Sequence, residues 1–83
     1  MITLKLLGSI KKYCGKDNII INEEETTISN LFFILRENIK DFKHIDKDDL
    51  LILINGTDLS ISGNEQKIKS GDVVTIANLM HGG

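Results

Sequence analysis

A single helical stripe of apolar residues stands between segments that alternate or cluster like β-strands, and this order leaves few folds open. The stripe has the i, i+3, i+4, i+7, i+11 spacing of one helix face. Its members are Ile28, Leu31, Phe32, Leu35 and Ile39. Thr27, directly before the stripe, is a predicted N-cap, and the acidic run 23–25 lies near the positive end of the helix. We expect the apolar face to pack on a sheet.

Two strands are predicted before the helix. Residues 2–6 alternate apolar and polar side chains, which places Ile2, Leu4 and Leu6 on one face. A β-branched run at 18–22 is expected to be the hairpin partner of this strand, and residues 10–17 are expected to connect the two.

Three further strands are predicted after a charged loop at 41–49. The unbroken apolar run 50–54 is typical of a central strand that is covered on part of both faces. Asn55-Gly56 follows it, and because both residues tolerate positive φ, this pair predicts a tight turn toward a short strand near 59–61. The last strand is predicted at 73–76.

This order of elements predicts an α+β fold. A first hairpin, a helix that crosses it and a last strand that joins the first strand together form a mixed sheet of four to five strands with one main helix packed across it. This is the β-grasp arrangement. We assign residues 1–77 to this domain and residues 78–83 to a flexible C-terminal tail that ends in Gly-Gly.

Composition and charge argue against several functions. The 83 residues carry a formal net charge of -2 with both signs interspersed, so no basic surface for nucleic acid is expected. The run 50–54 is far shorter than the roughly 20 apolar residues that span a bilayer, and no secretory leader is recognised. We therefore expect a soluble, cytoplasmic protein without membrane contact. His44 and His81 have no metal-ligand spacing, so no metal is expected.

Two side chains, Cys14 and Phe33, have open roles. Cys14 is the one cysteine, and we interpret it as a small hydrophobe near a turn rather than as a reactive thiol. Phe33 lies about 140° from the apolar stripe. We expect the segment 10–17 or 42–45 to cover it, with an exposed contact site as the alternative.

Several short motifs occur in a fixed order along nearly the whole chain. They are Lys11-Lys12-Tyr13-Cys14-Gly15, Thr27-Ile28 with Leu31, Ile54-Asn55-Gly56, Lys69-Ser70-Gly71-Asp72-Val73-Val74 and the final Gly82-Gly83. In this order the sequence resembles the ubiquitin-like sulfur carriers. That family includes the small subunit of molybdopterin synthase, the thiamine-biosynthesis sulfur carrier and the ubiquitin-related modifier. The ending Leu79-Met80-His81-Gly82-Gly83 looks closer to the Leu-His-Gly-Gly ending of the modifier, and the proline pair typical of the molybdopterin synthase subunit is absent.

The resemblance implies a chemistry at Gly83. A ubiquitin-activating-like enzyme would use ATP to adenylate this carboxylate, and a sulfur donor would convert it to a thiocarboxylate for an acceptor enzyme. Gly82 and His81 would thread the tail into a narrow channel, because glycine allows close backbone approach. His81 could instead be a solvated tail residue. Leu79 and Met80 would contact the partner, together with the sheet face around the last strand.

The chain is therefore expected to be a carrier rather than an enzyme, with no stably bound cofactor. No triad, carboxylate pair or phosphate loop is recognised in it. The sulfur could serve molybdopterin, thiamine or transfer-RNA thiolation, and the tail could also be joined to other proteins. One alternative is the small subunit of a molybdopterin synthase heterocomplex. Another is a β-grasp module that binds proteins and is not conjugated.

Overall fold

The computed structural model describes residues 1–39, 42, 49–59 and 67–78. The helices and strands in these residues follow one another along the chain in the order strand, helix, strand, strand, helix, strand, strand, strand, strand. They are β1 (Ile2–Leu7), α1 (Ser9–Cys14), β2 (Asn18–Ile21), β3 (Glu25–Thr26), α2 (Ile28–Asn38), β4 (Leu50–Ile54), β5 (Thr57–Asp58), β6 (Ile68–Lys69) and β7 (Val73–Asn78). Neither α1 nor α2 is long and apolar enough to cross a bilayer.

A mixed sheet with the strand order β2-β1-β7-β4-β5 forms the centre of the fold. β1 runs antiparallel to β2 and parallel to β7, and β7 runs antiparallel to β4. The last strand therefore lies between the first strand and β4, which confirms the predicted joining of the two ends of the domain. The short strands β3 and β6 pair with each other in a separate ribbon, which the sequence did not predict.

Helix α2 begins where the sequence predicted. Thr27 has an extended backbone, and its hydroxyl accepts a hydrogen bond from the Asn30 N–H at 3.2 Å, as an N-cap does. The predicted stripe is buried at four of its five positions, and the fifth, Phe32, packs partly buried beside Phe42 with ring centroids 6.4 Å apart. The helix therefore covers the sheet with the face that its periodicity indicated.

The hydrophobic core lies between α2 and one face of the sheet, which we call the inner face. Ile2, Leu4 and Leu6 point into it and are completely buried, as their alternation predicted. Burying a side chain of this size stabilises the folded state by roughly 1.5–3 kcal/mol. The core residues of the remaining strands that pack with them are Ile21, Ile52, Ile54, Ile68, Val74 and Ile76.

The connection predicted at 10–17 contains a helix instead. α1 follows Gly8 and ends at Gly15, whose left-handed backbone (φ 76°) directs its N–H to the Lys11 carbonyl at 2.9 Å, a glycine C-cap. Ile10 is completely buried and attaches the helix to the core. Six residues are too few to display a helical period, so this element could not be recognised from its pattern.

The last two strands of the main sheet also differ from the prediction. β7 continues to Asn78 rather than ending at 76, because Ala77 pairs with Leu7 on one side and with Leu51 on the other. The predicted Asn55-Gly56 turn is present, with φ 51° and 86°, and it is so tight that β5 begins at Thr57 rather than near 59. Residues 60 and 61 of the predicted short strand lie outside the described residues.

Candidate functional site

The tail residues that the sequence singled out are Leu79, Met80, His81, Gly82 and Gly83, and all five lie outside the described residues. The described chain reaches Asn78, the last residue of β7. The candidate site is therefore built from the surface that surrounds Asn78 and from the sheet face beside it.

Asn78 is fixed where β7 ends. Its backbone is in register with Leu50 of β4, and its side-chain amide donates a hydrogen bond to the Ser9 hydroxyl at 2.6 Å. Gly8 lies beside it with a φ of 72°, and a Cβ on Gly8 would be 3.6 Å from the Asn78 carbonyl oxygen. The end of β7 thus lies against the turn between β1 and α1. Its position is fixed by β4 on one side and by this turn on the other.

The opposite face of the sheet, which we call the outer face, is rich in apolar side chains. Register places its residues in cross-strand rows, because paired residues point to the same face. One row joins Leu7, Ala77 and Leu51, and the next row joins Lys5, Thr75 and Leu53. The third row joins Ile20, Thr3 and Val73.

The outer face is accessible to a partner. Leu7 is 49% exposed and Ile20 is 48% exposed, although both belong to strands whose other face is in the core. Leu51, Leu53, Val73 and Ala77 are half-buried by their neighbours in the sheet. Leu53 adjoins the row Leu7–Ala77–Leu51, whereas the polar Lys5 and Thr75 lie between that row and the row of Ile20. Exposed apolar surface bordered by polar residues is typical of a protein interaction site. The row Leu7–Ala77–Leu51 lies one residue from Asn78, so this surface adjoins the exit of the tail.

A polar cluster fixes the other end of β7. The Asp72 carboxylate accepts hydrogen bonds from the Asn55 side chain at 2.9 Å and from the Lys69 N–H at 2.8 Å. The Val73 N–H donates to the Asn55 side-chain oxygen at 2.9 Å. The bonds from Lys69 and Asn55 hold the pKa of Asp72 below its ordinary value of 3.8, because both stabilise the charged form. This cluster fixes where β7 starts and hence which of its residues face outward.

The two side chains with open roles are both described. Cys14 is partly buried and packs against the core, as expected for a small hydrophobe. Phe33 is 55% exposed, so the expected cover over this ring is wrong. The reason is that α2 already contacts the sheet with its stripe, and Phe33 projects from the far side of the helix. Within the described ranges, no group of three His, Cys, Asp or Glu side chains could hold a metal ion.

Comparison with known proteins supports the fold. No protein-family model matches the sequence. Among solved structures, Urm1 from Trypanosoma brucei is 20% identical with a TM-score of 0.80, over 99% of this chain and 94% of that one. The small archaeal modifier protein 1 from Methanosarcina acetivorans is 20% identical with a TM-score of 0.77, over 99% and 95%. A putative molybdopterin converting factor, subunit 1, from Pyrococcus furiosus is 22% identical with a TM-score of 0.72, over 95% and 97%.

These similarities cover almost the whole of each chain, and together with the sheet topology they establish the fold. The protein has the β-grasp fold of ubiquitin-like proteins. The predicted fold class is confirmed, including the mixed sheet and the main helix across it.

The sequence prediction pointed to a sheet face near the last strand but did not name its residues. The signal was available in part, because alternation in β1 already assigned Thr3 and Lys5 to the side opposite Leu4. Leu7 and the outward residues of β4 could be added only once the register of β7 between β1 and β4 was known.

Proposed function

We propose that this chain is a ubiquitin-like sulfur carrier of the cytoplasm whose C-terminal Gly83 is the reactive residue. The observation that carries the proposal is the end of β7. This strand is held in the middle of the sheet, ends beside the apolar outer face, and is followed by five residues that end in Gly82-Gly83. This arrangement supports a role in which a partner docks on the outer face and takes up the residues that follow Asn78.

The proposed chemistry takes place on the chain but is catalysed by a partner. A carboxylate oxygen of Gly83 attacks the α-phosphate of ATP, pyrophosphate leaves, and an acyl-adenylate forms in an adenylating enzyme. Sulfide then displaces AMP and gives the thiocarboxylate. If the donor is a persulfide, a thiol must afterwards cleave the S–S bond of the acyl intermediate. The thiocarboxylate sulfur is ionised like a thiolate and can attack the substrate of an acceptor enzyme.

The roles of the tail residues follow from this chemistry. Gly82 and Gly83 lack Cβ atoms, so the backbone can approach the walls of a narrow channel closely. His81 threads with them, and Leu79 and Met80 contact the apolar wall of the partner near the entrance. In this scheme the chain supplies no acid, base or nucleophile other than its own terminus, so it acts as a substrate and not as an enzyme.

The names of the similar structures support a carrier or modifier role. They include a small archaeal modifier protein and a putative molybdopterin converting factor subunit. For the pathway, the ending Leu79-Met80-His81-Gly82-Gly83 favours the thiolation and conjugation chemistry of the ubiquitin-related modifier over molybdopterin or thiamine synthesis. The second candidate is the small subunit of a molybdopterin synthase. The exposed apolar outer face favours it, since that surface is suited to a permanent subunit contact.

Intact mass spectrometry tests the chemistry. The protein is isolated from its native cells, and a second sample is incubated with the adenylating enzyme of the same cells, ATP and sulfide. We expect one oxygen to be replaced by sulfur at Gly83. The native mass also checks that Gly83 is the C-terminal residue. Deleting Gly83 or adding a residue after it should abolish the change and leave the melting temperature unaltered. An unmodified mass with an enzyme shown to be active would contradict the proposal.

The outer face has its own test with a matched control. Leu7 and Phe33 are both about half exposed, at 49% and 55%, but Leu7 lies on the outer face and Phe33 lies on α2, which packs on the inner face. Leu7→Gln should weaken activation by the adenylating enzyme, measured as a raised KM, because it places an amide in the apolar docking surface. Phe33→Gln should leave KM unchanged. Equal KM values for both variants would remove the outer face from the docking site.

A further inference from the structure

A positively charged groove lies beside the exit of the tail. Its volume is about 460 Å³, and it opens between the turn after β1 and the connection from α1 to β2. The residues that line it are Gly8, Lys11, Lys12, Gly15, Lys16 and Asp17. Three lysines against one aspartate give this groove a net positive charge, whereas the whole chain carries a formal charge of -2. The local charge is therefore opposite in sign to that of the protein.

The lysine amino groups are available for a ligand. Lys11, Lys12 and Lys16 are exposed, and in the described part of the chain none of them forms an ion pair. The ion pair found there joins Lys67 and Glu25 at 3.2 Å, away from the groove. Asp17 accepts a hydrogen bond from the Asn18 side chain at 3.1 Å. Because the three lysines line one groove, their like charges repel one another, and an anionic ligand would relieve this repulsion.

The groove adjoins both parts of the proposed docking site. Gly8 lines it and also lies against Asn78, where β7 ends. Leu7, the residue before Gly8, belongs to the outer face and is in register with Ala77. A partner that covers this row and takes up the tail would therefore have surface beside the groove.

Chain length argues against a nucleotide as the ligand during activation. Residues 79–83 extend at most about 18 Å beyond Asn78, at roughly 3.3–3.6 Å per residue. If the tail is extended in the channel, as the proposed function requires, a nucleotide joined to Gly83 lies close to that distance from Asn78 and from the groove beside it. In that case the groove faces the surface of the adenylating enzyme around the entrance of its channel.

We propose that this groove binds an acidic segment, rich in Asp or Glu, of the adenylating enzyme at the entrance to the channel that receives the tail. This inference rests on the proposed function and names the partner chemistry that recognises the carrier. The groove contributes to encounter and orientation, since charge complementarity at the edge of an interface mainly raises association rates. It does not touch the reacting carboxylate.

The test is ATP–pyrophosphate exchange by the adenylating enzyme, with the carrier as the varied substrate. We expect Lys11→Glu/Lys12→Glu/Lys16→Glu to raise KM for the carrier about tenfold or more and to leave kcat unchanged. The variant should also lose most of the increase in KM that salt produces with the wild type. The matched variant Lys11→Arg/Lys12→Arg/Lys16→Arg keeps the charge and should keep the wild-type KM.

A single exposed cation on α2 controls for net charge. Arg36→Glu changes the charge as much as Lys12→Glu does, but Arg36 lies on α2, away from the groove. Lys12→Glu should raise KM and Arg36→Glu should not. Melting temperatures of all variants verify that they are folded. If the triple glutamate variant is activated with the wild-type KM, the groove proposal is overturned and the carrier function stands.

A binding measurement separates failure of the groove from failure of the carrier function. If wild-type protein is not adenylated at all, the carrier function fails, and the groove is judged by NMR titration with hexaglutamate at low salt. Amide shifts confined to residues 8–17, and absent from the triple glutamate variant, would support an acidic peptide ligand. The absence of amide shifts would overturn the groove proposal. Tighter binding of hexauridylate than of hexaglutamate would also overturn it, by assigning the groove to nucleic acid.

Discussion

The two faces of the main sheet differ in burial, although the same strands supply apolar side chains to both. In β1, Leu4 and Leu6 on the inner face are completely buried, while Leu7 on the outer face is 49% exposed. In β2, Ile21 is 6% exposed and its neighbour Ile20 is 48% exposed. Adjacent apolar residues thus differ in burial because one face is covered by α2 and the other is not.

The burial of a side chain therefore predicts whether its substitution affects folding or the binding of a partner. An inner-face leucine contributes free energy to folding, because its whole surface leaves water when α2 packs on it. An outer-face leucine such as Leu7 keeps about half of its surface in water in the free protein, and in the proposed function a partner covers it. Changes on the inner face should therefore act on unfolding, and changes on the outer face should act on association. The polar clusters at the ends of the elements should have intermediate effects on unfolding.

The largest effect is expected for Leu4→Ala. It removes a completely buried side chain and should lower the free energy of unfolding by about 2–5 kcal/mol. A domain of 83 residues has a total stability of roughly 4–12 kcal/mol. The variant should therefore be close to unfolding. Urea denaturation followed by circular dichroism measures the change.

The matched control is Leu7→Ala, the same substitution on the outer face of the same strand. It should change the free energy of unfolding by less than about 0.5 kcal/mol. If both variants lost the same stability, the outer face would be buried in the free protein, and the comparison of the two faces would be wrong.

The next effect concerns the polar cluster that starts β7. Asn55→Gly keeps a residue that adopts the observed φ of 51° but removes the side-chain hydrogen bonds to Asp72 and Val73. We expect a loss of about 1–2 kcal/mol, measured by urea denaturation at neutral pH. A free energy of unfolding equal to that of the wild type would mean that the cluster does not fix the start of β7.

The same cluster predicts a pH dependence. The pKa of Asp72 is lowered in the folded state by the Lys69 N–H and by Asn55. Its contribution to stability is therefore complete above the unfolded value of 3.8 and is lost as the pH falls through the lower, folded pKa. Asp72→Asn should be less stable than wild type at neutral pH, and the difference should shrink below pH 3.8. A difference that did not depend on pH would exclude the carboxylate as its cause.

A smaller effect is expected at the start of α2. Thr27→Ala removes the acceptor of the Asn30 N–H and should cost about 1 kcal/mol. Thr27→Ser keeps the hydroxyl and should recover most of that loss. Thermal melts of the three proteins measure the difference. Equal melting temperatures for the alanine and serine variants would show that the cap contributes nothing.

The smallest effect on stability is expected for Phe33→Ala. The ring is 55% exposed, so the change should stay within about 0.5 kcal/mol. Phe32→Ala is the control, because this neighbouring ring is partly buried and packs beside Phe42. It should cost clearly more. If Phe33→Ala lost more stability than Phe32→Ala in urea denaturation, Phe33 would be covered after all.

Much of the fold could be predicted from local patterns, and the missed parts have identifiable causes. The Thr27 cap, the stripe on α2 and the Asn55-Gly56 turn each depend on a few adjacent residues, and all three are present. α1 was missed because it buries one side chain, Ile10, and so has no repeat to recognise. The β3–β6 ribbon was missed because strands of two residues carry no alternation.

The residues of the candidate site could also be predicted only in part. The tail residues Leu79 to Gly83 were singled out by their order in the sequence, and their roles remain predictions. The groove lysines Lys11 and Lys12 were part of the family resemblance, yet no function was assigned to them. Their position beside the exit is a tertiary feature, since Asn78 donates a hydrogen bond to Ser9 of α1, 69 positions away in the sequence.

The sequence by itself determined which side chains of β1 and α2 face the core, because side-chain direction repeats with the local backbone period. It also contains the pair Gly82-Gly83 on which the proposed chemistry depends. The joining of the last strand to β1 was predicted, but only the tertiary structure decided that β4 is the other neighbour of β7 and that β7 continues to Asn78. Strand pairing joins residues that are distant in sequence, so no local pattern specifies the partner. That pairing places the outer face, the groove and the exit of the tail next to one another.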